Sequence, residues 1–212
     1  MEKPAAILRI WGRINSINVQ KVVWCVDELG IPYERIDAGG AFGKTKSPEY
    51  LAMNPNSMVP VIEDDGFVMY ESNAIVRYLC AKYPEKGFWP AELRARADVD
   101  RWMEWLSNTL VPATREAFWQ LIRVAPAQRD AAAIEKSREG SEHLFAILDA
   151  HLANSRYMTT HGFTAADIVT GCAAHRWLNL PLERRPLPNI ERWYAELKSR
   201  PGSRQVTSLA LS

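Results

Sequence analysis

Apolar positions in the first eighty residues follow two different periods. "AILRIW" (6–11) is a short apolar run of strand length, followed by polar "GRINSIN". In "VQKVVWCVDELG" (19–30) the apolar residues Val19, Val22, Val23, Val26 and Leu29 recur at helical spacing, and Gly30 closes the run. "IPYERID" (31–37) reads as a second strand, so strand, helix and strand predict a βαβ unit with parallel strands. A glycine-rich loop, "GGAFGKTKS" (39–47), follows. "MVPVIED" and "FVMYE" flank Asp64-Asp65-Gly66, a tight-turn signal that predicts an antiparallel hairpin. "SNAIVRYLCAKY" (72–83) predicts a helix with Ser72 as its N-cap.

Beyond "PEKGFWPAE" (84–92), a Pro/Gly/aromatic stretch that reads as a linker, every periodic segment is helical. One helix is predicted from Leu93 to about Arg123 with a kink at Pro112, and a second over 125–153 starting near Pro126. A third is predicted over 164–178 and a fourth over 187–202. The expected fold class is therefore α/β followed by all-α. It comprises a βαβ-ββα domain over 1–83, the linker 84–92 and a helical domain over 93–212.

Composition narrows the partners. The chain has 212 residues, 47% of them hydrophobic, enough for a sizeable core. Lys+Arg 26 against Asp+Glu 25 gives a net charge of +1, a balance that argues against nucleic acid as the main partner. No apolar window reaches the ~18 residues of a membrane span, and the N-terminus does not read as a signal peptide. Cys25, Cys80 and Cys172 are widely spaced with no C-x-x-C, and the four histidines show no metal-ligand spacing. These features predict a cytoplasmic protein with no metal, no nucleic-acid partner and no membrane.

Two joints in the predicted sheet call for explanation: Pro60 interrupts a strand, and Glu71-Ser72 sits where strand meets helix. "NPNSMVPVI" (54–62), "ESNAIVRYL" (71–79) and "FTAADIV" (163–169), in that order and ahead of a helical half, resemble the glutathione transferase family. The resemblance covers almost the whole chain, and "WGRINSINVQKVVWCVDELGIPYE" looks most like bacterial, theta-like members. It implies a thioredoxin-like first domain that binds glutathione, and a homodimer. Pro60 would follow a cis bond and leave the backbone of Val59 facing a cleft, where an extended peptide pairs with it. Ser72, at a helix N-terminus, would meet the γ-glutamyl carboxylate, and Glu71 the ammonium. An isolated Glu-Ser pair would read equally as an ordinary helix start. Lys44 would meet the glycyl carboxylate unless it is a solvated loop residue. Met58 departs from the family, where Gln or Lys often precedes the Val-Pro pair.

The resemblance also implies the reactive group. Ser16 aligns best with the serine that theta-like enzymes use to stabilise the glutathione thiolate; Asn15 is the alternative donor, and a plain helix cap the alternative role. Cys25 reads as core and Trp11 as packing. Thr164 and Asp167 match the family's helix-capping box, a stabilising element. A small electrophile would lie against the first long helix, near Trp105, Arg115 and Trp119. Glutathione-dependent disulfide or peroxide reduction, dehalogenation, and a non-catalytic scaffold remain as alternatives to conjugation.

Overall fold

The computed structural model describes residues 7–212. Strands β1 (Leu8–Trp11), β2 (Tyr33–Ile36), β3 (Val61–Asp64) and β4 (Phe67–Tyr70) form one sheet in the order β2-β1-β3-β4. β1 runs parallel to β2 and antiparallel to β3, and β3 and β4 form the predicted hairpin. Asp65 and Gly66 both take positive φ (49° and 85°), the type I′ geometry for which Asp-Gly is suited. Helix α1 (Ile17–Leu29) crosses from β1 to β2, and α3 (Ser72–Lys82) follows β4. Between them lies α2 (Pro48–Met53), which the apolar pattern did not reveal. Its signal is local: the Ser47 hydroxyl accepts from Tyr50 N, Pro48 takes the first position, and Glu49 lies in the first turn.

The remainder is helical: α4 (Leu93–Trp105), α5 (Val111–Phe118), α6 (Ala131–Leu152), α7 (Ala165–Leu178), α8 (Pro188–Ser199) and α9 (Arg204–Thr207). The single kinked helix expected over 93–123 is instead α4 and α5 joined by a π-turn, Leu106–Leu110, with a second π-turn at Trp119–Arg123. Pro112 cannot donate a backbone hydrogen bond, and the widened turn ahead of it absorbs the missing bond. The helix expected from Pro126 begins at Ala131, because the Asp130 carboxylate accepts from Ala133 N and caps it there.

Helix α1 is buried nearly all round, with Val19, Val22, Val23, Trp24, Cys25 and Val26 each 0% exposed. A helix buried on nearly every side must sit in a core. Lys21 shares that burial at 2% exposure, and its Nζ donates to Asn73 Oδ1 at 3.2 Å. Burial pulls the amine pKa down to about 8, against the attraction of the Glu71 and Glu104 carboxylates.

The capping box at α7 is deeper than an ordinary cap. Asp167 is 0% exposed and accepts from Thr164 N, Met158 N and Trp193 Nε1, each at 2.9 Å. The carboxylate therefore organises the loop before α7 and one turn of α8. Burial raises its pKa to about 6, with those donors opposing the rise.

Two outcomes follow. Asp167→Ala orphans three buried donors at ~1–3 kcal/mol each, so urea unfolding should show a loss of at least ~3 kcal/mol, and Asp167→Asn a smaller one. Lys21 binds a proton less readily folded than unfolded, so its contribution to stability rises with pH between about 8 and 10.5. The stability difference between wild type and Lys21→Met should shift toward wild type by roughly 2–3 kcal/mol across that window. A pH-independent difference would show that the amine is not depressed.

Candidate active site

The β1–β3 ladder ends at the Trp11↔Val61 pair, so the backbone of Val59 lies beyond it. The Val59–Pro60 bond is cis, as the resemblance implies. Just before it, the Met58 carbonyl accepts from Tyr50 Oη at 2.8 Å and from Asn54 Nδ2 at 2.9 Å. Both donors are buried, so the loop entering Val59 is held from beneath. The Met58 side chain is 64% exposed and supplies no polar group there.

Val59 and Pro60 line a cleft of about 190 Å³ together with Glu71, Ser72 and Asn18. The last three also line a larger neighbouring cleft of about 470 Å³, which extends past Lys21 and Asn73 to α4. Glu71, not Ser72, is the N-cap of α3, and Ser72 is its first helical residue. The shift has a backbone cause: Glu71 takes φ 73° and ψ 104°, which turns the chain into the helix one residue earlier than its composition suggests. A non-glycine residue there stores ~1–3 kcal/mol, strain of a kind that clusters at ligand sites. Ser72 N–H is consequently one of the unpaired donors of the first helical turn, and its hydroxyl donates to Asn18 Oδ1 at 3.3 Å.

Ser16 occupies the N-cap position of α1 by its backbone, φ −90° and ψ 125°, but its side chain accepts no capping hydrogen bond. The hydroxyl is thus left at the positive end of a buried helix without being used to cap it. Asn15 is more committed: Oδ1 accepts from Arg13 at 2.7 Å, and Nδ2 donates to Ser212 Oγ at 3.1 Å. Lys44 is exposed on its loop with φ 68°, outside the residues lining either cleft. The loop itself is tied to the site, since Ser57 Oγ donates to the Thr45 carbonyl at 2.8 Å.

Along the first long helices, Trp105 packs edge-on against Trp102, with ring centroids 5.4 Å apart. Arg115 and Trp119 lie exposed on α5 and the turn after it. The clefts do not bring these three together with Val59 and Ser72; Ser107, Asn108 and Val111 approach from that side instead. All three cysteines are buried, with Cys25 Sγ 3.6 Å from Cys80 Sγ. That hydrogen bond and burial raise the Cys25 thiol well above its ordinary pKa, so it is a core group and not a nucleophile. Trp11 donates to Glu63 Oε1 at 2.7 Å and packs against Tyr50.

Asn18, Lys21 and Asn73 are among the polar residues of the clefts that periodicity missed. A signal was present. Asn18 and Lys21 are three apart, hence on one face of a helix that is otherwise mostly apolar in its first two turns.

Comparison with known proteins agrees with this fold. Residues 14–87 match the family model for the glutathione S-transferase N-terminal domain, and residues 100–201 that for the C-terminal domain. The chain is 41% identical over 208 residues to glutathione S-transferase GstB of Escherichia coli K12, covering 97% of this chain and 100% of that one. It is 30% identical to glutathione S-transferase 3 of Zea mays, covering 96% and 94%. Among solved structures, the theta class glutathione S-transferase of Xanthomonas axonopodis pv. citri with glutathione bound superposes with a TM-score of 0.93 at 41% identity, covering 97% and 99%. Two family models, full-length relatives and the shared architecture lead to one conclusion: the chain belongs to the glutathione S-transferase family.

Proposed function

We propose that this transferase holds glutathione as an extended peptide along the Val59–Ser72 cleft and activates its sulfur with Ser16. The carrying observation is that the cis Val59–Pro60 bond and the Glu71-Ser72 helix start line one cleft. Val59, beyond the end of the ladder, pairs with the cysteinyl backbone. Ser72 and the α3 N-terminus receive the γ-glutamyl carboxylate, and Glu71 its ammonium. Lys44 is assigned to the glycyl carboxylate on charge alone. Met58 contributes its anchored carbonyl to the shape of the cleft and no polar side chain, so binding rests on the other contacts.

Lowering a thiol pKa from ~8.5 by about two units requires roughly 2.7 kcal/mol of preference for the thiolate. A hydrogen bond to a charged acceptor supplies ~1.5–3 kcal/mol and a helix N-terminus ~0.3–1. The Ser16 hydroxyl at the start of α1 combines both, without a general base. Asn15 is the weaker candidate because both ends of its amide are already engaged. The thiolate then attacks a small electrophile, a chemistry suited to detoxification. Thiol exchange through the protein's own cysteines is disfavoured by their burial. A homodimer, expected from the resemblance, would cover the exposed apolar residues Phe67, Val68 and Leu93.

The test is conjugation of glutathione to 1-chloro-2,4-dinitrobenzene. Ser16→Ala should lower kcat/KM by roughly 10- to 100-fold near pH 7. The deficit should narrow above pH ~9, where free glutathione ionises unaided. An undiminished kcat/KM near pH 7 would remove Ser16 from the mechanism. Failure of the wild type to be retained on immobilised glutathione would remove the binding site itself.

A further inference from the structure

Three arginines from distant parts of the chain converge beside Ser16. Arg13, in the β1–α1 loop, donates to Asn15 Oδ1 at 2.7 Å. Arg123, at the end of the second π-turn, reaches the Asn15 carbonyl at 3.5 Å. Arg176, near the end of α7, lies over the Phe118 ring with its guanidinium carbon 3.7 Å from the centroid. Arg123 lies over the same ring at 5.7 Å. The Arg13 side chain is itself positioned: it packs on Gly40 (φ +58°), where a Cβ would stand 2.9 Å from Nε.

None of these three forms an ion pair among the described residues, whereas Arg9, Arg77, Arg101, Arg138 and Arg156 each pair with a carboxylate. Burial, together with the like charges of Arg123 and Arg13, pushes the Arg176 pKa down to about 10. Burial and Arg13 likewise lower that of Arg123. Among the described residues, folding has therefore gathered three cations against mutual repulsion with no carboxylate side chain in ion-pair contact with them. Each guanidinium is a planar fork of donors that matches a carboxylate in two-pronged fashion.

Building on the glutathione reading, we propose that the second substrate is an electrophile bearing a carboxylate, gripped by Arg123 and Arg176 with Arg13 at its edge. The cluster borders the residue that holds the sulfur, so an anchored carboxylate places a nearby electrophilic carbon within reach of the thiolate. With an aryl chloride as that electrophile, the sulfur forms the new S–C bond. Chloride leaves with its bonding pair, and the thiol proton passes to water. The arginines take no part in bond making; they determine specificity.

The test compares 4-chloro-3-nitrobenzoate with neutral 4-chloro-3-nitrobenzamide at saturating glutathione, each corrected for its uncatalysed rate. The wild-type kcat/KM ratio should favour the benzoate by about tenfold or more. In Arg123→Gln and Arg176→Gln that ratio should fall by about tenfold, and Arg123→Lys should lie between. A wild-type ratio at or below unity, or one unchanged in both variants, overturns the proposal; so does an equal loss for both substrates, which would assign the cluster to the thiolate. Arg123 is exposed, so its variants carry the test if Arg176→Gln does not fold. Calorimetric titration with unreactive 3-nitrobenzoate and 3-nitrobenzamide, in the absence of glutathione, reads the same site independently of turnover. Tighter binding of the benzoate, lost in Arg123→Gln, supports the anion site even if glutathione fails to bind; equal affinity overturns it.

Discussion

The close approach of α1 to α7 is the constraint on which the rest of the molecule depends. A Cβ at Gly171 would stand 2.7 Å from Trp24 Cη2 and 2.9 Å from Leu197 Cδ1, so the indole of α1 occupies the space a side chain on α7 would need. On the same side, a Cβ at Gly202 would stand 2.6 Å from the backbone nitrogen of Glu28. The buried Glu28 carboxylate accepts two bonds from Arg200, at 3.0 and 2.8 Å. Helix α1 is thus the core element of the sheet and of the helical half at once. Whatever stands at its N-terminus is fixed by packing from both.

On the proposed mechanism, that rigidity serves the start of the helix and the face that carries Asn18 and Lys21. Asn18 meets Ser72, and Lys21 meets Asn73. Asn73 in turn donates to the Met103 carbonyl at 3.1 Å and to Ser107 Oγ at 2.9 Å. A polar relay from α1 through α3 to α4 therefore runs under the clefts. A buried amine with a depressed pKa lies on it and a strained Glu71 lines the clefts beside it, and each costs stability. These costs fall on the residues that line the two clefts.

Features encoded by neighbours in sequence were legible before the structure. Asp65-Gly66 specified its turn, Thr164 and Asp167 their capping box, and the apolar spacing of α1 its burial. The cis bond at Val59–Pro60 came from family resemblance, since no periodicity signals it. Ser72 was misplaced by one position because the backbone angle of Glu71, not side-chain preference, sets that helix start. Lys21 was invisible because a lysine in a helix normally reads as a solvated position. The arginine cluster was beyond sequence for another reason: residues 13, 123 and 176 meet only once α1, α5 and α7 have packed. That meeting is a product of tertiary packing, and the aromatic spacing that singled out Trp105 and Trp119 could not reveal it.

On the proposed mechanism, a hydroxyl held at the start of a rigid helix makes the glutathione thiolate at neutral pH. An ultraviolet pH titration of the thiolate of bound glutathione, in wild type and in Ser16→Ala, tests it most directly. With Ser16 as the donor, the thiol pKa should lie about two units below the free value in the wild type and return most of the way in the variant. An equally depressed pKa in both proteins would contradict it and move the stabilising donor elsewhere.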